Sequence, residues 1–315
     1  MKHILIDCDT GIDDSIAILY ALKNKNIHIE GITTGLGNTT AKQAADNTMR
    51  LIKLSNCGYE IPVVVGAEQP LNGESQVAPA HIHGENGIGN VELPKSDQKV
   101  IEEQAWDFII RKADELKGEL TIVTLGRFTN LAKALMKDPK LPYKVKNVVS
   151  MGGNLRKSGN VTPYAEANIH GDAEAANMVV RAGFHMMLVG LDVTTETFIT
   201  GEDLEKLKKY CSKDNLPIVN YMQSALGFYF KYNYEAMGCV NCCVVHDPLA
   251  MILAENPSLG EYRFIRANVE YEQPEFRGMI KIDERFVSDY NHEEIIYCTK
   301  VDSDSAVRRI FSVLQ

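Results

Sequence analysis

The order of apolar runs along the chain predicts an α/β protein, a mostly parallel sheet with helices on both faces. Three observations predict it. Short strand-like apolar runs alternate with segments of helical spacing from residue 3 to beyond residue 180. The first run ends in a carboxylate-rich Gly turn, and a second polar cluster, residues 152–172, follows another predicted strand. Open parallel sheets bind ligands at such strand ends.

Residues 3–8, His-Ile-Leu-Ile-Asp-Cys, read as a strand, and the spacing from Ser15 to Lys23 predicts a helix. Further strands are predicted at 28–33, 62–65, 120–124, 145–151 and 185–189. Helices are predicted at 40–55, 98–117, 130–137 and 172–182. After Thr200 the rhythm changes to helices at 202–211, 217–234 and 247–254, then antiparallel strands near 263–270 and 277–282, and a closing helix at 303–314. With no linker, internal repeat or low-complexity segment, one domain over residues 1–315 is expected. Segment 66–96, dense in Gly and Pro, reads as a long loop of the kind that carries function.

Composition narrows the function. The 315 residues are 45% hydrophobic and 24% charged, with 42 acidic against 33 basic side chains and a net charge of -9. A chain without a Lys/Arg cluster lacks the footprint of a nucleic-acid binder. Its apolar stretches fall short of the roughly 18 residues a membrane span needs, and the N-terminus has no signal-peptide pattern, so a cytoplasmic protein is expected. Seven cysteines, an odd number, argue for reduced thiols. The Cys239-Val-Asn-Cys242-Cys243 cluster has no second ligand pair to complete a zinc site and reads as thiols beside a helix.

The chemistry concentrates in three places. Asp7-Cys8-Asp9-Thr10-Gly11-Ile12-Asp13-Asp14 sets four carboxylates within eight residues. Like charges this close resist joint ionisation, a conflict that a bound cation removes. All-oxygen donors favour Ca²⁺ or Mg²⁺. An EF-hand is excluded by Gly11, Ile12 and Ile18 at positions that need a ligand, a Gly and a Glu. Helix capping accounts for Asp13 and Asp14 alone. In the second cluster Asn160, Glu166 and Asn168 serve either a ligand or the loop's own backbone. In the third, His246-Asp247-Pro248 precedes an apolar helix, for which Asp247 reads as an N-cap or a site residue.

Together these segments resemble the inosine-uridine-preferring nucleoside hydrolases. The resemblance rests on Asp7-x-Asp9-x-Gly11-x-Asp13-Asp14, Asn38 after Thr33-Thr34-Gly35, His83-Gly84, Gly126-x-x-Thr129-Asn130, Met151-Gly152-Gly153, Asn160 with Ala165-Glu166-x-Asn168, and His246-Asp247-Pro248, in the family's order across about residues 3–255. It implies an open, Rossmann-like nucleoside hydrolase fold with one Ca²⁺ at the floor of a ribose pocket. Asp9, Asp14, Asp247 and the Leu125 carbonyl are then the calcium ligands, and Asp9 the general base. Asp13 and Asn168 are assigned to the 2′-hydroxyl, Asp247 to the 3′-hydroxyl, Asn160 and Glu166 to the 5′-hydroxyl, with Asn38 and His83 in the same pocket. His246, able to change charge near neutrality, is the expected acid toward the departing base. Tyr229 and Tyr232 are candidates to stack on that base. The implied partner is a small ribonucleoside, purine or pyrimidine, and the implied assembly a homodimer or homotetramer.

Departures fall on the base side: Arg127 and Phe128 stand where the family has Pro and Leu, and Ala167 where an aromatic is common. This leaves room for a modified nucleoside or nicotinamide riboside as substrate. Two other readings compete. In a haloacid-dehalogenase-type phosphatase Asp7 is the nucleophile and Asp9 the acid/base, but that pattern places Thr or Val where Gly11 stands. A non-catalytic nucleoside-binding protein keeps the pocket without turnover. The aromatic stripe Phe228, Tyr229, Tyr232 and Tyr234 also suits a core face, and His81 suits the surface.

Overall fold

A computed structural model describes residues 1–74, 76–285, 290 and 293–315. In chain order the strands are β1 Lys2–Cys8, β2 Ile27–Thr34, β3 Val63–Val65, β4 Leu120–Thr124, β5 Asn147–Met151, β6 Met186–Val189, β7 Phe198–Thr200, β8 Cys242–Val244, β9 Gly260–Ile265, β10 Ala267–Val269, β11 Ile280–Ile282 and β12 Ile295–Val301. Eight of them form one sheet in the order β3-β2-β1-β4-β5-β6-β12-β9. Every neighbouring pair is parallel except β12 with β9.

Strand side chains alternate between the two faces, and both faces are buried. Ile4 and Ile6 of β1 join one core cluster with the helices Ile12–Lys23, Ala41–Ser55, Leu216–Met237 and Asp247–Glu255. Leu5 joins another with helices Ala105–Leu116, Thr129–Lys137 and Ala173–Val180. Burial on both faces is why the strands read as continuous apolar runs.

From β1 the chain builds outward on one side through β2 and β3, and on the other through β4, β5 and β6. The order therefore reverses between β1 and β4, and the segments after these two strands diverge there. Such a crevice is where open α/β sheets hold ligands.

The predicted helix 98–117 begins only at Ala105. Ahead of it Ile101 donates to the Val63 carbonyl at 2.8 Å and Gln98 Nε2 to Ile61 O at 2.6 Å, which ties the segment alongside β3 in place of a helical turn. The predicted strand 263–270 divides at Arg266: β9 pairs with β12, whereas β10 pairs with β11, antiparallel as expected. Strands β7, β8 and β12 were not anticipated. Among the described residues no helix is long and apolar enough to cross a membrane.

Candidate active site

The carboxylate cluster is built where β1 turns into helix Ile12–Lys23. Asp14 lies in the first turn and accepts the Gly11 N–H at 2.8 Å and the Asp9 N–H at 3.2 Å, closing the turn on itself. From the segment after β2, Asn38 donates its backbone N–H to Asp9 Oδ2 at 2.8 Å. Its amide nitrogen reaches Asp9 Oδ1 at 3.3 Å and Asp14 Oδ2 at 2.9 Å. Glycine is needed at two close approaches. A Cβ on Gly37 would lie 1.6 Å from Asp9 Oδ2, and one on Gly11 2.6 Å from both Asn38 Nδ2 and His83 Nδ1.

Two carboxylates join from further along. Asp13 is 7% exposed, and its Oδ1 is buried without a hydrogen-bond partner among the described residues. Asp247 opens helix Asp247–Glu255, so it is the first helical residue and His246, not Asp247, is the cap. Carboxylate oxygens of Asp13, Asp14 and Asp247 lie within 4.8 Å of one another. Asp9 meets this trio through Asp14 and Asn38.

Burial pushes the Asp13 carboxyl up to about 7, with the neighbouring Asp14 adding to the effect. Burial and Asp14 likewise hold Asp9 well above the carboxylate range, and burial with Asp13, Asp14 and Asp9 does the same to Asp247. Buried oxygen donors that repel one another, one of them lacking any donor, suit a hard divalent cation. The residues present fit such a metal.

Asp7 stands apart from this site. Its Oδ1 accepts from Thr33 Oγ1 at 2.6 Å and Asn130 Nδ2 at 2.8 Å, and burial raises its carboxyl to about 6. Asp7 is thus committed to joining β1 to β2 and to the helix after β4, a structural place that the phosphatase reading does not give it. Asn130 also bonds Thr34 O and the Ala67 N–H, pinning the ends of β2 and β4 to the start of the long loop.

The β5 side supplies Glu166 and Asn168. Glu166, 1% exposed, caps a short helix: its carboxylate accepts from Gly153 N at 3.0 Å, Asn168 N at 2.8 Å and Ile169 N at 3.2 Å. Asn168 Nδ2 donates to the Leu125 carbonyl at 2.7 Å. A carbonyl oxygen has two lone pairs, so one remains for another partner. Asn160 is exposed, and its Oδ1 accepts the Ala167 N–H at 2.9 Å. Backbone satisfaction thus accounts for what Asn160 and Glu166 touch in this structure.

Histidines and tyrosines enclose the other side. His83 is 5% exposed; its Nδ1 accepts the Ile12 N–H at 3.2 Å, and burial takes the ring down to about 3. The 4.0 Å approach of His83 Nδ1 to Asp13 is therefore a contact with a neutral imidazole rather than an ion pair. Tyr229 stacks on His83 at 5.8 Å between centroids and on Tyr232 at 6.1 Å; Tyr229 is buried and Tyr232 half-buried. His81, on the surface as expected, meets Tyr232 edge-on. His246 Nδ1 lies 2.8 Å from Thr194 Oγ1, and burial lowers its ring to about 4.

The structure thus gathers Asp9, Asp13, Asp14, Asn38, His83 and Asp247 into one cluster, with Tyr229 and Tyr232 stacked beyond His83. Leu125 and Asn168 meet each other beside it, Asn160 lies outward, and His246 adjoins Asp247. Thr194, the partner of His246, carried no signal in the sequence. The clamp role of Asn130 was likewise hidden, because its partners Asp7, Thr34 and Ala67 lie far from it in the chain.

Fold and site define an α/β enzyme of the nucleoside hydrolase class. The chain belongs to the inosine-uridine preferring nucleoside hydrolase family, whose model matches residues 4–308. Uridine nucleosidase 1 of Arabidopsis thaliana is 37% identical over 83% of this chain and 77% of its own. A solved plant nucleoside hydrolase superposes with a TM-score of 0.93 at 33% identity, covering 99% of this chain and 98% of its own. The purine-preferring ribonucleoside hydrolase from Gardnerella vaginalis gives a TM-score of 0.92 at 32% identity, with the same coverage.

Proposed function

We propose that this nucleoside hydrolase cleaves the N-glycosidic bond of ribonucleosides, giving ribose and free base, with a resident Ca²⁺ and through an oxocarbenium-like transition state. The observation that carries this reading is the buried trio Asp13, Asp14 and Asp247 within 4.8 Å at the point where the strand order reverses. Asp9, Asp14, Asp247 and the Leu125 carbonyl would hold the ion. When bound, Ca²⁺ supplies a Lewis acid that acidifies a coordinated water and anchors the ribose diol.

Asp9 takes the proton from the attacking water, its carboxylate aimed by the two Asn38 contacts. Asp13 and Asn168 hold the 2′-hydroxyl, Asp247 the 3′-hydroxyl, and Asn160 with Glu166 the 5′-hydroxyl. The unsatisfied Asp13 Oδ1 is suited to accept from a hydroxyl. Positive charge develops on the ribosyl ring as the bond breaks, and a pocket of carboxylates is complementary to it.

The departing base accumulates negative charge. Burial lowers the His246 ring to about 4, so in place of the expected acid that changes charge near neutrality it assists as a neutral donor through Nε2, in the tautomer whose Nδ1 accepts from Thr194 Oγ1, 2.8 Å away. Tyr229 and Tyr232 pack against the base. Relatives named for uridine and for purines are of similar identity to this chain, which leaves base preference to experiment. Ribose release from purine, pyrimidine and modified ribonucleosides, with p-nitrophenyl riboside as a base-independent control, tests the reading. Turnover of the nucleosides is expected; absence of turnover on every compound would overturn it.

A further inference from the structure

We propose that Asp192 and Tyr297 are positioning residues for the 5′-hydroxyl end of the substrate, acting through the loop that carries Asn160. The inference rests on the assignment of Asn160 and Glu166 to that hydroxyl. After β5 the chain leaves the sheet at Gly152 and returns at Glu166, and the two stems of this excursion are held by two different carboxylates. Glu166 holds Gly153 and the returning stem. Asp192 holds the outgoing stem, with Oδ2 accepting the Leu155 N–H at 2.9 Å and Oδ1 the Arg156 N–H at 2.8 Å.

Asp192 is itself oriented from a third element. Tyr297 of β12 donates its hydroxyl to Asp192 Oδ2, and burial raises the phenol so that it stays a donor at any physiological pH. Gly190 makes room for the junction, since a Cβ there would lie 2.2 Å from the Tyr297 hydroxyl and 2.5 Å from the Gly153 carbonyl. That carbonyl accepts the Leu191 N–H at 2.8 Å, so β5, β6 and β12 meet at one point under the loop.

Beyond the anchor the loop folds on itself. Asn154 Nδ2 bonds Lys157 O at 2.8 Å, Gly159 N reaches Pro163 O at 3.1 Å, and Asn160 Oδ1 closes on Ala167 N at 2.9 Å. Asn160 is exposed and closes on Ala167 of the returning stem, so its position follows the stems, while Tyr164 against Phe276 and Lys157 paired with Glu196 tether the rest of the loop. An amide at 192 sets an N–H against one of the backbone donors that the carboxylate now accepts. Neither Asp192 nor Tyr297 is part of the carboxylate cluster.

The test compares kcat/KM for a ribonucleoside and its 5′-deoxy analogue in the wild type, Asn160→Ala, Asp192→Asn and Tyr297→Phe, with amide hydrogen exchange across residues 154–166. The ratio of two substrates on one enzyme cancels differences in metal loading or folded fraction. The wild type is expected to favour the 5′-hydroxyl substrate by about tenfold or more, the worth of one good hydrogen bond. Asn160→Ala should remove most of the preference, leaving what Glu166 supplies, and Asp192→Asn should remove a large part of it with faster exchange at 154–166. Tyr297→Phe, which deletes one oxygen, should remove a smaller part and serves where Asp192→Asn folds poorly. An unchanged preference in both Asp192→Asn and Tyr297→Phe, with Asn160→Ala deficient, overturns the positioning role alone. An unchanged preference in Asn160→Ala overturns the 5′ assignment and the inference with it.

Discussion

Asn38 spans Asp9 and Asp14, its amide nitrogen 3.3 Å from Asp9 Oδ1 and 2.9 Å from Asp14 Oδ2, while its backbone N–H fixes Asp9 Oδ2 at 2.8 Å. One residue after β2 thus sets the orientation of the proposed base. Asp9→Ala should lower kcat by about 10²- to 10⁴-fold, the usual contribution of a general base, with the thermal midpoint within a few degrees of wild type. Near-normal kcat in ribose-release assays would remove Asp9 from that role.

Gly37 offers a probe that keeps every carboxylate but shifts one of them. Its Cβ would fall 1.6 Å from Asp9 Oδ2, whereas a Cβ on Gly126 meets the same carboxylate group at 3.0 Å. Displacing a reacting group by about 1 Å costs about 100-fold. Gly37→Ala is therefore expected to lose that much in kcat/KM, and Gly126→Ala much less; equal activity in the two variants would contradict the geometry.

His246→Ala should separate substrates by leaving group. On a natural nucleoside a loss of about 100-fold is expected, and on p-nitrophenyl riboside, whose leaving group needs no help, only a few-fold. Parallel losses on both substrates would show that His246 acts elsewhere than at the base.

Metal and pH are linked through the carboxylates. In the metal-free protein Asp13 sits at about 7 against an ordinary 3.8, with Asp9 and Asp247 also raised. A raised folded value favours the protonated form, so the stability Asp13 contributes is full below pH 3.8 and is lost as pH rises through about 7, and Asp9 and Asp247 act in the same direction. A cation that binds the ionised forms reverses this. Calcium at a hundredfold excess over Kd should add about 2.7 kcal/mol at pH 8, and distinctly less at pH 5, read as the shift in thermal midpoint. The same shift at both pH values would place the ion away from these carboxylates, and zinc in the active enzyme would exclude calcium as the resident metal.

Much of this was legible in the chain. Strands β1, β2, β4, β5 and β6 are buried on both faces, so their apolar runs stand out, and the carboxylates follow a strand end whose position fixes their place in the sheet. Strands β7 and β8 have three residues each, too few to show alternation. Strand β12 is half-exposed toward its end and has no Gly or Pro close by to mark it. The start of helix Ala105–Leu116 was misplaced because Val100 and Ile101 fit a helical stripe, while hydrogen bonds to Val63 and Ile61 decide otherwise. Ligand types were readable from residue chemistry; the use of Glu166 as a cap and of Thr194 beside His246 depends on tertiary placement.

The acidic trio joins the beginning of the first helix to the beginning of helix Asp247–Glu255, and those two helices pack together on the same face of the sheet. A nascent chain that has emerged only as far as β6 carries Asp9 and Asp14, bridged by Asn38, but not Asp247, so the proposed ligand set is still incomplete. Long-range closures of this kind come late because chain entropy must be overcome before the contact rewards it. During refolding, acquisition of tight metal binding should therefore follow the appearance of helical signal, and catalytic competence marks a chain whose two ends have already met.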